Sequence, residues 1–114
     1  MIYVIKAVDT EFVKIGISNG WRGRLKSMQT GCPFELVLIA EAEWPNREER
    51  RIHSRLRRAG LHVRGEWFKR EGETNTIIEL LRNGSAGLEE WKRISVYSIN
   101  RRLRKALLHS ISVS

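Results

Sequence analysis

Apolar and polar positions alternate along this chain in two different periods, and the change of period predicts its elements. Ile2 to Val8 and Phe12 to Ile17 are runs rich in β-branched and aromatic side chains, separated by the polar Asp9-Thr10-Glu11. Two such runs around a short polar break predict an antiparallel hairpin. Gly16, Asn19 and Gly20 then interrupt the strand pattern. From Trp21 to Gln29 the period lengthens, with Trp21, Leu25 and Met28 at helical spacing and Arg22, Arg24 and Lys26 on other faces. Gly31 can end that helix and Pro33 cannot continue it. Phe34 to Ala42 is almost continuously apolar and predicts a mostly buried third strand.

A second helix is expected to open at Pro45, where the missing N–H does no harm. It runs through Glu48, Glu49, Ile52, His53 and Leu56 and stops before Gly60. Leu61 to Phe68 reads as extended or irregular. Thr74 or Asn75 is expected to cap another helix through Ile77, Ile78, Leu80 and Leu81, ended by Asn83-Gly84. In the tail, acids (Glu89, Glu90) precede bases (Arg101, Arg102, Arg104, Lys105), the order that suits a helix dipole. Ile99, Leu103, Leu107 and Ile111 make its last stretch amphipathic, although Ser95 to Ser98 interrupts the pattern. The order β-β-α-β-α predicts an α+β fold: a small three-stranded antiparallel sheet flanked by helices, with one or two extra C-terminal helices. Three strands are few, so the helices must cover the sheet to make a core. Residues 1–70 are expected to form the functional module, and 71–114 a helical extension packing on the same domain.

At 114 residues and 41% apolar content this is one globular domain with a real core. No apolar run is long enough for a transmembrane helix. Met1 to Ile5 is strand-like and lacks the basic leader of a signal peptide, so a cytoplasmic address is expected. The single cysteine, Cys32, can form neither an intramolecular disulfide nor a zinc cluster, and reads as a small buried or half-buried residue. Charge narrows the function further. Twenty-one Lys and Arg against thirteen acids leave +8, with a pI near 10.4. That excess favours a polyanionic partner, and the arginine fork suits phosphate. Nucleic acid leads, ahead of anionic membrane surfaces and acidic proteins.

Four motifs stand in a fixed order: Ile2-Tyr3-Val4-Ile5-Lys6; Val13-Lys14-Ile15-Gly16-Ile17-Ser18, with Arg24 eight positions after Gly16; Glu49-Arg50-Arg51-Ile52-His53; and Gly65-Glu66-Trp67-Phe68. Between the second and third lies Arg24-Leu25 … Met28-Gln29-Thr30-Gly31-Cys32-Pro33. Together they resemble the GIY-YIG nuclease superfamily over about residues 1–70. The likeness is greatest to a phage- and prophage-associated branch named for an open reading frame of bacteriophage T5. The resemblance implies a metal-dependent DNA endonuclease, with Mg²⁺ or Mn²⁺ as cofactor and DNA as partner. It implies catalytic roles for Tyr3, Arg24 and Glu49, with Glu49 as the metal carboxylate. Lys14 stands where the wider superfamily has a second tyrosine, and Met28 where it often has a histidine.

The residues themselves carry parallel readings. A strand tyrosine is often a packed ring, but the resemblance puts the Tyr3 hydroxyl beside the attacking water. Lys14, Arg22, Lys26 and Arg50 are expected to contact phosphate or DNA. Gly16 permits close approach of a backbone. Helical periodicity cannot choose between Glu48 and Glu49, and the choice of Glu49 rests on the resemblance. His53 lies one turn further along the same side and is expected to bond the loop carrying Glu66 rather than act directly. Glu66 is either a second carboxylate near the metal or an internal partner for an arginine. Trp67 and Phe68 read as core or sheet-flanking residues. Two other functions compete: a DNA-binding module of the same fold with weak or no cleavage, and an interaction protein whose amphipathic tail binds a partner or makes a homodimer.

Overall fold

The computed structural model describes residues 1–95. It contains β1 (Ile2–Ala7), β2 (Phe12–Ile17), α1 (Trp21–Gln29), β3 (Leu36–Ala42), α2 (Arg47–Arg58), β4 (His62–Arg64), β5 (Trp67–Lys69) and α3 (Glu73–Arg82). A further helix, α4, is described over residues 84–95. The strands form one antiparallel sheet in the order β3-β1-β2-β5-β4. The fold class is α+β, as the hydrophobic pattern predicts, but the sheet has five strands where that pattern shows three. Gly65 adopts φ 55°, turning Leu61 to Phe68 back on itself so that β4 pairs with β5. Each of these strands has only three residues, and all three of β4 are exposed. So short a run with no buried face shows no alternation to read.

The period of two sends neighbouring β1 side chains to opposite faces. On one face Ile2, Val4, Val13 and Ile15 meet Ile52 and Leu56 of α2, Ile77, Ile78 and Leu81 of α3, and Trp91 of α4. On the other, Tyr3, Ile5, Ala7 and Leu36 are covered by Leu25 and Met28 of α1 and by Trp67. Each fully buried Ile, Leu or Phe contributes about 1.5–3 kcal/mol, so both layers hold β1 firmly. Tyr3 is therefore fixed in the central part of the sheet on the α1 side, with no exposed surface.

Three boundaries differ from expectation. β3 begins at Leu36 rather than Phe34 because Gln29 intercepts the backbone. Its side-chain amide donates to the Phe34 carbonyl at 2.8 Å and accepts from the Leu36 N–H at 2.7 Å. Helix α2 begins at Arg47 after Asn46, with Pro45 one step outside, its carbonyl accepting from the Glu48 N–H at 2.9 Å. Helix α3 is preceded by Gly72 at φ 52°, so neither Thr74 nor Asn75 is the cap; Thr74 is buried in the first turn. Asn83-Gly84 does end α3, and α4 follows at once. Trp91 of α4 donates from Nε1 to Glu48 Oε2 at 2.7 Å, pinning α4 to α2. The amphipathic stretch Ile99 to Ile111, with the partner or homodimer contact expected of it, lies outside the described residues. No helix among the described residues is long and apolar enough to cross a membrane.

Candidate active site

Tyr3 on β1 pairs directly with Gly16 on β2. The Tyr3 ring lies down on that glycine. A Cβ at position 16 would meet the Tyr3 Oη at 2.6 Å, its Cζ at 2.8 Å and Glu66 Oε2 at 3.0 Å. Gly16 is thus the floor on which a phenol and a carboxylate converge. Glu66 reaches this point from the β4–β5 turn, where its carbonyl accepts from the Ile15 N–H at 3.1 Å. Its carboxylate lies 3.7 Å from Lys14 Nζ. The partner of Glu66 is therefore a lysine, not the arginine expected, because the turn sets it over β2. Lys14 also donates to Met28 Sδ at 3.3 Å, which ties β2 to α1 beside the site.

The Tyr3 hydroxyl is buried and makes no hydrogen bond of good geometry. Burial raises its pKa above the ordinary 10.0. The nearby Arg24 guanidinium opposes that by favouring the phenolate, while the Glu66 and Glu49 carboxylates reinforce it. At neutral pH the group is a phenol. A buried polar atom without a partner costs free energy, and such atoms mark sites where a ligand or water supplies the missing bond.

Helix α2 presents two adjacent glutamates in opposite circumstances. Glu48 is fully buried, held by Trp91, by Arg51 at 2.8 Å and, more distantly, by Arg47 at 3.7 Å. Glu49 remains partly open and close enough to Tyr3 to act on its charge. His53 orients it, with Nδ1 3.1 Å from Glu49 Oε1 and Nε2 2.7 Å from the Ile15 carbonyl. His53 thus ties α2 to β2 itself rather than to the loop carrying Glu66. A carbonyl only accepts, so Nε2 donates to it, while Nδ1 faces the Glu49 carboxylate.

The structure so brings together Tyr3, Gly16, Glu66 and Lys14, with Arg24, Glu49 and His53 at the margin. Arg22 and Lys26 do not join them. They line a shallow groove on the far flank of α1, together with Leu25, Gln29, Thr30 and Leu36. Arg50 is exposed on α2.

The T5orf172 domain matches this chain over residues 1–95. The chain belongs to the T5orf172 domain family. That is a nuclease-like, DNA-binding family. Comparisons with curated proteins and with solved structures each gave no match.

In this T5orf172 domain, a metal site built wholly of protein ligands does not fit: no group of three or more His, Cys, Asp or Glu converges among the described residues. A hard divalent cation that keeps most of its water does fit, since one or two carboxylates suffice for it. Glu49 offers the oxygen not facing His53, within electrostatic reach of a buried phenol that makes no hydrogen bond of good geometry. Two contributors escape a reading of the chain alone. Gln29 belongs to a visible motif, but its role as a splint between α1 and β3 needs the fold. The pairing of Glu48 with Trp91, 43 positions away, leaves no local signal.

Proposed function

We propose that this T5orf172 domain is a DNA endonuclease of the GIY-YIG type that hydrolyses phosphodiester bonds with Mg²⁺ or Mn²⁺. The observation that carries the reading is the convergence of Tyr3 and Glu66 over Gly16, with Arg24 and Glu49 both acting on the same phenol. Hydrolysis forms a bond from a water oxygen to phosphorus and breaks one ester bond. Tyr3 stays protonated at neutral pH, so it orients that water by hydrogen bonding rather than deprotonating it in the resting site. Arg24 offsets the charge that grows on the phosphate oxygens. Lys14 sits beside the same point and adds positive charge, while Glu66 holds its ammonium in place. Glu49, oriented by His53, would hold the cation; when bound, the ion neutralises phosphate charge and acidifies water. The excess of +8 draws the DNA backbone to the site.

A DNA-binding module of the same fold with weak or no cleavage is the second reading. It is favoured by the protonated state of Tyr3 together with Met28 where a histidine would serve as base. Nicking of supercoiled plasmid with Mg²⁺ or Mn²⁺ separates the two, with wild type compared to Glu49→Ala at matched DNA binding. Metal-dependent nicking that disappears in Glu49→Ala supports the nuclease. Salt-sensitive binding without nicking in either protein leaves the binding module.

A further inference from the structure

Helix α1 has two working flanks. Arg24 and Met28, four residues apart, face Tyr3 and Lys14. Arg22, Lys26 and Gln29 share the opposite flank and line a groove of about 440 Å³, whose apolar floor is Leu25 and Leu36. The Phe34 backbone adjoins two residues of this groove: Gln29 bonds its carbonyl, and Leu36 follows two positions later.

Phe34 is the most exposed large apolar residue identified among the described residues, at 48%. A single exposed apolar side chain ordinarily needs no explanation. This one differs in that the backbone around it is hydrogen-bonded on both sides. The Phe34 carbonyl and the Leu36 N–H are both taken by Gln29. The Glu35 carbonyl accepts from the Val8 N–H at 2.8 Å, the Cys32 N–H donates to the Gln29 carbonyl at 3.1 Å, and Pro33 fixes its own φ. The loop spends a splint and a proline on an exposed aromatic residue whose backbone is bonded to Gln29, on the helix flank that carries Arg22 and Lys26. Aromatic faces with neighbouring cations are the chemistry that binds nucleobases and phosphates of single strands.

We propose that Phe34 and the adjoining groove form a binding site for an unpaired nucleotide of the DNA, its base stacked on the Phe34 ring and its phosphate met by Lys26 and Arg22. The proposal rests on the reading of this domain as DNA-acting, and it names the substrate class: DNA with a single-stranded segment. In a continuous duplex the base faces are covered by their neighbours, so the ring can stack only where the strand is unpaired. The two flanks lie about one helix diameter apart, about 10 Å.

The test is fluorescence anisotropy of the full chain in EDTA, with a labelled single-stranded oligodeoxythymidylate and a labelled blunt duplex of equal length. In Phe34→Ala, single-strand affinity should fall about tenfold relative to duplex affinity, and Phe34→Trp should restore it. A single-to-duplex affinity ratio unchanged in Phe34→Ala overturns the site. So does a loss that is equal on both probes. Tight binding of duplex alone by wild type overturns this site while leaving the DNA reading intact, whereas binding of neither probe overturns both. Should Phe34→Ala not fold, 2-aminopurine emission from a single-stranded probe gives the same answer, being quenched on binding to wild type and not to Phe34→Leu. Unquenched emission on wild type refutes the stacking.

Discussion

Adding one methyl group at Gly16 tests the core of the site. The Cβ of Gly16→Ala would stand 2.6 Å from the Tyr3 hydroxyl, and ordinary contact begins at 3.4 Å, so the hydroxyl must retreat by about 0.8 Å. The glycine's φ is not in the left-handed region, so the substitution strains no backbone and the whole effect is steric. Glu66 can swing aside, because its contact is the end of a flexible side chain. Tyr3 cannot, because its ring is fully buried beneath α1 and its strand is hydrogen-bonded on both sides. Overpacking of this kind costs about 1–3 kcal/mol of stability. A displacement approaching 1 Å at a reacting group costs on the order of a hundredfold in rate.

The assay is single-turnover nicking of supercoiled plasmid at saturating protein, beside a chemical denaturation curve to separate misplacement from unfolding. We expect a folded Gly16→Ala protein that nicks about a hundredfold more slowly. Adding Tyr3→Phe deletes the closest contact, so the double variant should regain stability relative to additivity, by about 0.5–3 kcal/mol. A Gly16→Ala protein with wild-type nicking would refute the placement of Tyr3 over Gly16 as a catalytic arrangement. Strict additivity of the two substitutions would refute the contact itself.

The buried hydroxyl of Tyr3 has no good hydrogen bond, so Tyr3→Phe should hold or gain about 1 kcal/mol in denaturation while nicking falls at least about a hundredfold. The same residue sets an alkaline limit. Its folded pKa is raised above 10.0, so the unfolded chain ionises first, and stability should decline as pH rises above 10.0 toward the folded value, a slope that Tyr3→Phe would lack. Loss of stability in Tyr3→Phe at neutral pH, or an identical alkaline slope, would count against the unpartnered phenol. Glu48→Ala leaves the buried Trp91 Nε1 without its acceptor, while Arg51 is exposed enough to turn to water, and should cost about 1–3 kcal/mol, whereas Glu49→Ala should remove nicking with little change in melting; the reverse pattern would exchange the roles of the two glutamates.

How much of this was legible in the chain depends on whether each feature is local. The hairpin, α1 and the body of α2 announce themselves by period, because each has a buried and an exposed face at fixed spacing. Glu48 and Glu49 lie about equally far from the Ile52-Leu56 stripe, and only Trp91 arriving from α4 distinguishes a buried anchor from an open carboxylate. The two largest departures, five strands for three and a lysine for an arginine beside Glu66, are one physical fact. Gly65 at φ 55° makes the turn that creates β4 and β5. That same turn carries Glu66 over β2, onto Lys14 and the Gly16 floor. Without the hairpin, the side chain of Glu66 has no address, and its two expected roles, a carboxylate near the metal or a partner for an arginine, stay open. The chemistry was hidden because the strand pair positioning it is too short to carry a period. In this domain the least periodic segment, Leu61 to Phe68, therefore supplies one of the two groups that meet over Gly16.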